Sequence, residues 1–209
     1  MSESTAGVRA AKTTANRTRM LSAARELFIE RGYAATTMKA IAERAGMAVQ
    51  SLYFTFANKR AILVELLDTD IAGDAEPIAT MDRPWFAEAL AAPAREQIRL
   101  QVVAAAEILA RVAPLLEVVR SAASTDAELA EMWRTNVEQR LIVQQRLAAE
   151  LVTKAALREG LSVERAADIA LALTAPETYR LLVGERGWTS QEWQRWATEV
   201  LVAQLLDEG

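Results

Sequence analysis

The stretch "TTMKAIAERAGMAVQSLYFTFANK", Thr36 to Lys59, decides how the rest of the chain is read. Thr36 or Thr37 stands where it can cap a short helix whose inward face is Ile41, Ala42 and Ala45, and Gly46 ends that helix. A second short helix follows at once, from about Ala48 to Phe54, with Leu52 and Phe56 pointing inward at i,i+4 spacing. Gly46 to Ala57 contains no charged residue. The unit is therefore two short helices, a tight turn and an electrically neutral second helix.

Working outward, the same logic extends in both directions. From about Thr14, Leu21, Ala24, Leu27 and Phe28 fall on one stripe at three-and-four spacing, and Gly32 supplies the C-terminal stop. Downstream, Asn58 is the N-cap of a fourth helix carrying Ile62, Leu63, Leu66 and Leu67. Residues 1–13, "MSESTAGVRAAKT", lack periodic apolar positions and read as a flexible arm. Between Asp70 and Pro93 the pattern loosens around Gly73, Pro77, Pro84 and Pro93.

Beyond Pro93 long helices return. One, Ala94 to Val112, carries Ile98, Val102, Ala105 and Leu109, and Pro114 opens its successor. Another, Asp126 to Leu157, carries Trp133, Val137, Leu141, Ala148 and Val152, with Gly160 closing it. Ser162 caps a helix running towards Val183 with a kink at Pro176, and Gly184 and Gly187 turn the chain. The last helix has a full start signal: Thr189 with Glu192 three residues on, and Trp188 and Trp193 at the flanking staple positions. It continues through Trp196, Val200, Leu201 and Leu205. The fold class is all-α: an N-terminal three-helix module over 14–60 and a larger helical domain over 61–209.

Charge divides the same way. The net charge is −4, but residues 1–60 hold ten Lys and Arg against four Asp and Glu, whereas residues 61–209 hold fourteen against twenty-four. A basic head on an acidic body is expected where one end meets phosphate and the other stays clear of it. There is no Cys and no His, which removes disulfides, thiolate metal sites, the usual general base and any Ser-His triad. No metal and no cofactor are expected. The first sixteen residues are polar without an apolar core, and no apolar run approaches the roughly 20 residues that cross a bilayer. The expectation is a soluble cytoplasmic protein without a membrane partner.

A short helix, a Gly-containing turn and a second short helix in this order form a helix-turn-helix. With the long leading helix and the details "TT.K.IAERAG", "LY..F" and "NK", Thr14 to Leu67 resembles the DNA-binding module of the TetR family of bacterial transcriptional repressors. The resemblance implies that the second short helix enters the major groove, with Ala48, Val49, Gln50, Ser51 and Thr55 near base edges. Lys39 would reach a base or phosphate, and Thr37, Tyr53 and Lys59 would hold backbone phosphates. Lys39 and Arg44 before the neutral helix, and Lys59 and Arg60 after it, would supply nonspecific attraction. Gln50 has the chemistry for bidentate adenine recognition, Ser51 can bond several base edges, and Ala48 and Val49 can touch a thymine methyl. Arg9 and Lys12 of the arm can reach along a groove, or the arm can be an inert terminus. Three positions depart from the family pattern: Ala48 stands where Ser or Thr often caps the reading helix, Val49 where a basic residue is frequent, and Thr55 where an aromatic or His is frequent.

The resemblance further implies a homodimer through the last two helices, binding a pseudo-palindromic double-stranded DNA operator, and a pocket for a small-molecule effector that releases it. The apolar faces of those helices include Leu171, Leu182, Trp193, Trp196 and Val200. The competing reading is ordinary intrachain core, a role that part of each face must serve. Trp133, Asn136, Arg140 and Gln144 lie within a few helical turns of one another and combine apolar wall with polar anchors, as a pocket requires. A polar edge beside a core Trp is the competing reading. A carboxylate enzyme built on Glu107, Glu138 and Glu150 lacks the Glu-x-x-His elements of di-iron bundles, and a helical adaptor has no need of a basic head.

Overall fold

A computed structural model describes the backbone of residues 3–73, 78–154 and 156–207, and within these ranges the side chains from Ala11 onward. Helix α1 spans Glu3–Ala35 and is interrupted at Gly32, whose φ of 77° and ψ of 170° end the helix proper. Residues 3–13 continue α1 instead of forming a loose arm. Apolar periodicity misses such a segment, because Ala6, Ala10 and Ala11 favour helix without needing a buried face. The side chain of Arg9 lies outside the described residues, as does Pro77.

Helices α2 (Met38–Ala45), α3 (Val49–Thr55) and α4 (Lys59–Ala72) follow. Thr37, not Thr36, caps α2, accepting from the Ala40 amide; Thr36 is buried and donates to the carbonyls of Leu27 and Gly32. After a short 3-10 turn at Thr80–Asp82 come α5 (Pro84–Ala91), α6 (Ala94–Ala122) and α7 (Ala127–Thr153). Then come α8 (Val163–Leu173), α9 (Pro176–Tyr179), which runs on as a π-helical segment over Arg180–Glu185, and α10 (Ser190–Leu205).

Pro114 opens no new helix; α6 runs straight through it. An interior proline costs about 3 kcal/mol. Val112, Leu115, Leu116 and Val119 all lie buried around it on one continuous stripe. Burying side chains of this kind contributes about 1.5–3 kcal/mol each, so the stripe outweighs the missing hydrogen bond. Pro176 behaves oppositely: it begins a separate short helix after α8 ends, where Thr174 turns back to bond the Ala170 carbonyl.

The core falls into two main clusters. One joins α1 to α4 with the C-terminal half of α6 and with Leu129 of α7. The other gathers α6, α7, α8 and α10 around Trp193. The first three helices therefore share a core with the body. The division between residues 60 and 61 falls in the first turn of α4 and is not a linker.

Candidate nucleic-acid interface and the adjoining cavity

Helix α3 is held in place by very little of itself. Leu52 is fully buried and Phe56 nearly so, while Val49 packs partly against the same cluster. That leaves Ala48, Gln50, Ser51, Tyr53 and Phe54 exposed. The preceding turn is fixed by Gly46 in the left-handed region, at φ 65° and ψ 43°, and the Met47 amide donates back to the Ala42 carbonyl. Arg19 of α1 donates to the Ala45 carbonyl at 2.6 Å, closing the α2 terminus from outside. A Cβ at Gly46 would come within 3.2 Å of that guanidinium. Ala48 has the extended backbone of an N-cap but makes no side-chain cap.

The residues predicted to face DNA divide by exposure. Thr37, Lys39, Ala48, Gln50, Ser51 and Tyr53 are exposed on the α2–α3 side, while Val49, Thr55 and Lys59 are half-buried. Thr55 donates its hydroxyl to the Ser51 carbonyl, and Thr37 spends its hydroxyl oxygen on α2. Phe54, 94% exposed, went unnoticed in the sequence. A signal was there: with Leu52 and Phe56 inward, the residue between them must point outward.

The cations correct the electrostatic expectation. Arg44 is taken up by Glu26 at 2.9 Å and Glu30 at 3.0 Å, which hold its guanidinium firmly protonated and lower the Glu30 pKa. Lys59 donates to the Tyr33 carbonyl at 2.7 Å and the Thr36 carbonyl at 3.1 Å, and its ammonium sits 4.1 Å from the Tyr33 ring centroid. It therefore closes the end of α1, and burial pulls its pKa down. Arg60 pairs with Glu128 at the start of α7. Of the four cations expected to flank the neutral helix, only Lys39 projects freely, with Glu43 3.8 Å away. Such an exposed pair is worth about 0–1 kcal/mol and leaves the ammonium available.

Further ion pairs tie α1 to the body. Arg17 grips Glu65 of α4, and Arg25 reaches both Asp70 and, at 2.7 Å, the Arg111 carbonyl of α6. Arg111 in turn donates to the Asp70 carbonyl at 2.9 Å. The end of α4 is thus clamped between the head and α6.

Beside that clamp lies a cavity of about 1140 Å³, bounded by the end of α4, the 78–85 segment, α6 and α7. Ile71, Met81, Trp85, Ile108, Val112 and Val143 give it apolar walls. Asn136, Arg140 and Gln144 line it as well, but Trp133 does not; it packs against the α1–α4 cluster, with the Arg140 guanidinium 5.8 Å from its ring centroid. Gln144 is satisfied within the protein, accepting from Gln101 and donating towards Thr174 at 3.5 Å. Arg140 is not. Its Nε donates to Asn136 at 3.0 Å, while its Nη1 is buried with no partner. Burial draws its pKa down, with Glu177 opposing. An unmet buried donor costs about 1–3 kcal/mol, more when charged.

At the other end, Trp193 is fully buried against Tyr179, at 5.0 Å between ring centroids, so it is intrachain core and not part of the dimer face that the apolar pattern predicts. Leu171, Leu182, Trp196 and Val200 remain half-buried, and Leu181 is exposed. Trp188 packs on Trp196 at 5.9 Å, one turn further along than the expected staple partner Trp193.

Residues 20–66, the segment that builds the C-terminal half of α1, all of α2 and α3 and the first half of α4, match the family model of bacterial regulatory proteins, tetR family. That segment is a TetR-family N-terminal module. A relative, the uncharacterized HTH-type transcriptional regulator YdeS of Bacillus subtilis (strain 168), is 27% identical over 165 residues, 78% of this chain and 77% of its own length. The fold is shared with a putative TetR-family regulator from Syntrophomonas wolfei, with a TM-score of 0.69, 19% identity, and 94% of this chain and 100% of that one covered. It is also shared with the transcriptional regulator FadR from Bacillus subtilis in complex with stearoyl-CoA, with a TM-score of 0.68, 20% identity, and 90% and 98% covered. The family of the matched segment and the relative are transcriptional regulators, not enzymes. Among the described residues no helix is long and apolar enough to cross a membrane.

Proposed function

We propose that this chain is a ligand-responsive homodimeric repressor of the TetR type that reads a pseudo-palindromic operator with α3 and is released by a small molecule in the cavity beside α4. The observation that carries the reading is the exposed, uncharged face of α3, set on a scaffold in which Arg44, Lys59 and Arg60 are committed elsewhere and Lys39 is left free. Gln50 and Ser51 read base edges, and Ala48, with the exposed edge of Val49, meets thymine methyls. Thr37, Lys39, Tyr53 and the start of α4 at Lys59 hold phosphates. At Lys59 the contact falls to the backbone amides of the helix terminus, because the ammonium is occupied. Thr55, bonded to Ser51, supports the reading face more than it touches DNA. Residues 14–60 form the reading head and 61–209 the regulatory body.

Dimerisation sets two heads one helical repeat apart on the operator, and Leu171, Leu182, Trp196 and Val200 form part of the apposed face. The effector acts through the clamp at the end of α4. A ligand that fits the cavity better in one arrangement of α4 shifts the population towards it, and Arg25 and Asp70 carry that shift to α1. FadR, which shares this fold, was crystallised in complex with stearoyl-CoA.

The test is selection of binding sites from random 30-base-pair duplexes, followed by mobility shift at fixed salt. A selected two-fold site bound at least a hundred times more tightly than scrambled duplex is expected. Equal affinities for both would sink the reading.

A further inference from the structure

Among the described residues, one buried side-chain nitrogen or oxygen on the cavity wall lacks a partner inside the protein. Gln101, Gln144 and Thr174 form a closed chain that ends on the Ala170 carbonyl, and Arg111 is bound to the Asp70 carbonyl. The unmet atom is on Arg140. Its Nε is met by Asn136, and its Nη1 is buried without an acceptor. A guanidinium oriented by a neighbouring amide and with one buried N–H group short of an acceptor is a preformed seat for a planar anion.

The rest of the wall limits which anion. Asp68 and Glu107 also line the cavity, so a multiply charged group such as a phosphate dianion meets repulsion there. The remaining wall is largely apolar: Ile71, Met81, Trp85 and Ile108 lie across from α7. Resting on the reading of this cavity as the effector site, we infer that the effector is a carboxylic acid with a sizeable apolar body, its carboxylate on Arg140 and its body against the Ile108 and Trp85 wall.

The chemistry separates this from a purely shape-selected drug pocket. A carboxylate and its primary amide have nearly the same size, but only the acid completes the guanidinium's bonding. Trp85 on the wall supplies an intrinsic fluorescence signal. Decanoate, 4-phenylbutyrate and 1-naphthylacetate are each titrated beside the corresponding primary amide, on the full chain at neutral pH. At least one acid is expected to bind ten-fold or more tightly than its amide. Arg140→Gln is expected to bring that ratio close to one, and Arg140→Lys to retain part of it. Equal binding of acid and amide in the unaltered protein, absence of binding by all three acids, or an undiminished ratio in a folded Arg140→Gln protein would overturn the assignment.

A parallel mobility shift separates this outcome from the fate of the repressor reading. Acid preference without release of operator DNA upholds the ligand class and contradicts effector control. Release by a neutral compound, with no acid preference, does the reverse.

Discussion

Replacing Ala48 by Ser is expected to stabilise the reading helix. Ala48 occupies the N-cap of α3 with φ −68° and ψ 139°, the backbone a cap requires, but contributes no side-chain acceptor. Its side chain is exposed, so a hydroxyl has room, and its oxygen can accept from the amide of Gln50 or Ser51. A Ser cap over Ala is worth about 1 kcal/mol, within a range of about 0.5–2. For a chain of this size that corresponds to a rise of about 2–4 °C in Tm if head and body unfold together. Their shared core, which joins Leu52 and Phe56 to Leu115 and Val119, makes joint unfolding the expectation. Locally, about 1 kcal/mol slows exchange of the first-turn amides of α3 about five-fold. Thermal denaturation and amide hydrogen exchange read the two effects, with Ala48→Val as the control that adds bulk without an acceptor. If the Ser and Val variants give the same Tm and the same exchange at Gln50 and Ser51, the uncapped-terminus reasoning is wrong.

Three further outcomes follow from the charges and caps. Lys39→Ala should lower the slope of log affinity against log salt by about 1 on every duplex and leave Tm unchanged, whereas Lys59→Met should lower Tm, because that ammonium closes the end of α1. Thr189→Ala should cost about 1 kcal/mol, since the hydroxyl accepts from the Glu192 amide while Glu192 accepts from the Thr189 amide; calorimetry measures it. Acid should destabilise the protein in a defined window. Glu117 is held below its ordinary pKa by hydrogen bonds from Arg120 and Ser121, and Glu192 by the Thr189 amide and hydroxyl. A depressed folded pKa gives stability that is complete above the ordinary value of 4.5 and lost as pH falls through the folded values. Urea midpoints should therefore drop below about pH 4.5, and less steeply for Glu192→Gln.

The helix-turn-helix was legible because its punctuation is chemical and local. Thr37, Gly46 and Asn58 mark the ends of elements by what their own side chains or backbones can do, and Leu52 and Phe56 mark the inward face. The cap of α10 was readable for the same reason. What escaped was non-local. Arg44 is neutralised by acids 14 and 18 positions away and Arg60 by Glu128, so counting charges along the chain overstates what the head offers to phosphate. Pro114 survives inside α6 because of the buried stripe around it, which no propensity reveals. Trp193 reads as interface in the sequence because an apolar helix face looks the same whether its own chain or a second copy covers it. Asn136, Arg140 and Gln144 reach the cavity because a polar break in an apolar stripe is a local signal; Trp133 carries none that separates wall from core.

The most direct test is the effect of Gln50→Ala on operator and on scrambled duplex, measured at one salt concentration. Gln50 is exposed on an uncharged helix, and a bidentate base contact is worth about 1–3 kcal/mol. The expected result is a loss of about 5–150-fold on the operator, with scrambled duplex unchanged. Equal losses on both, or no loss on either while Lys39→Ala abolishes sequence preference, would contradict reading by the neutral helix.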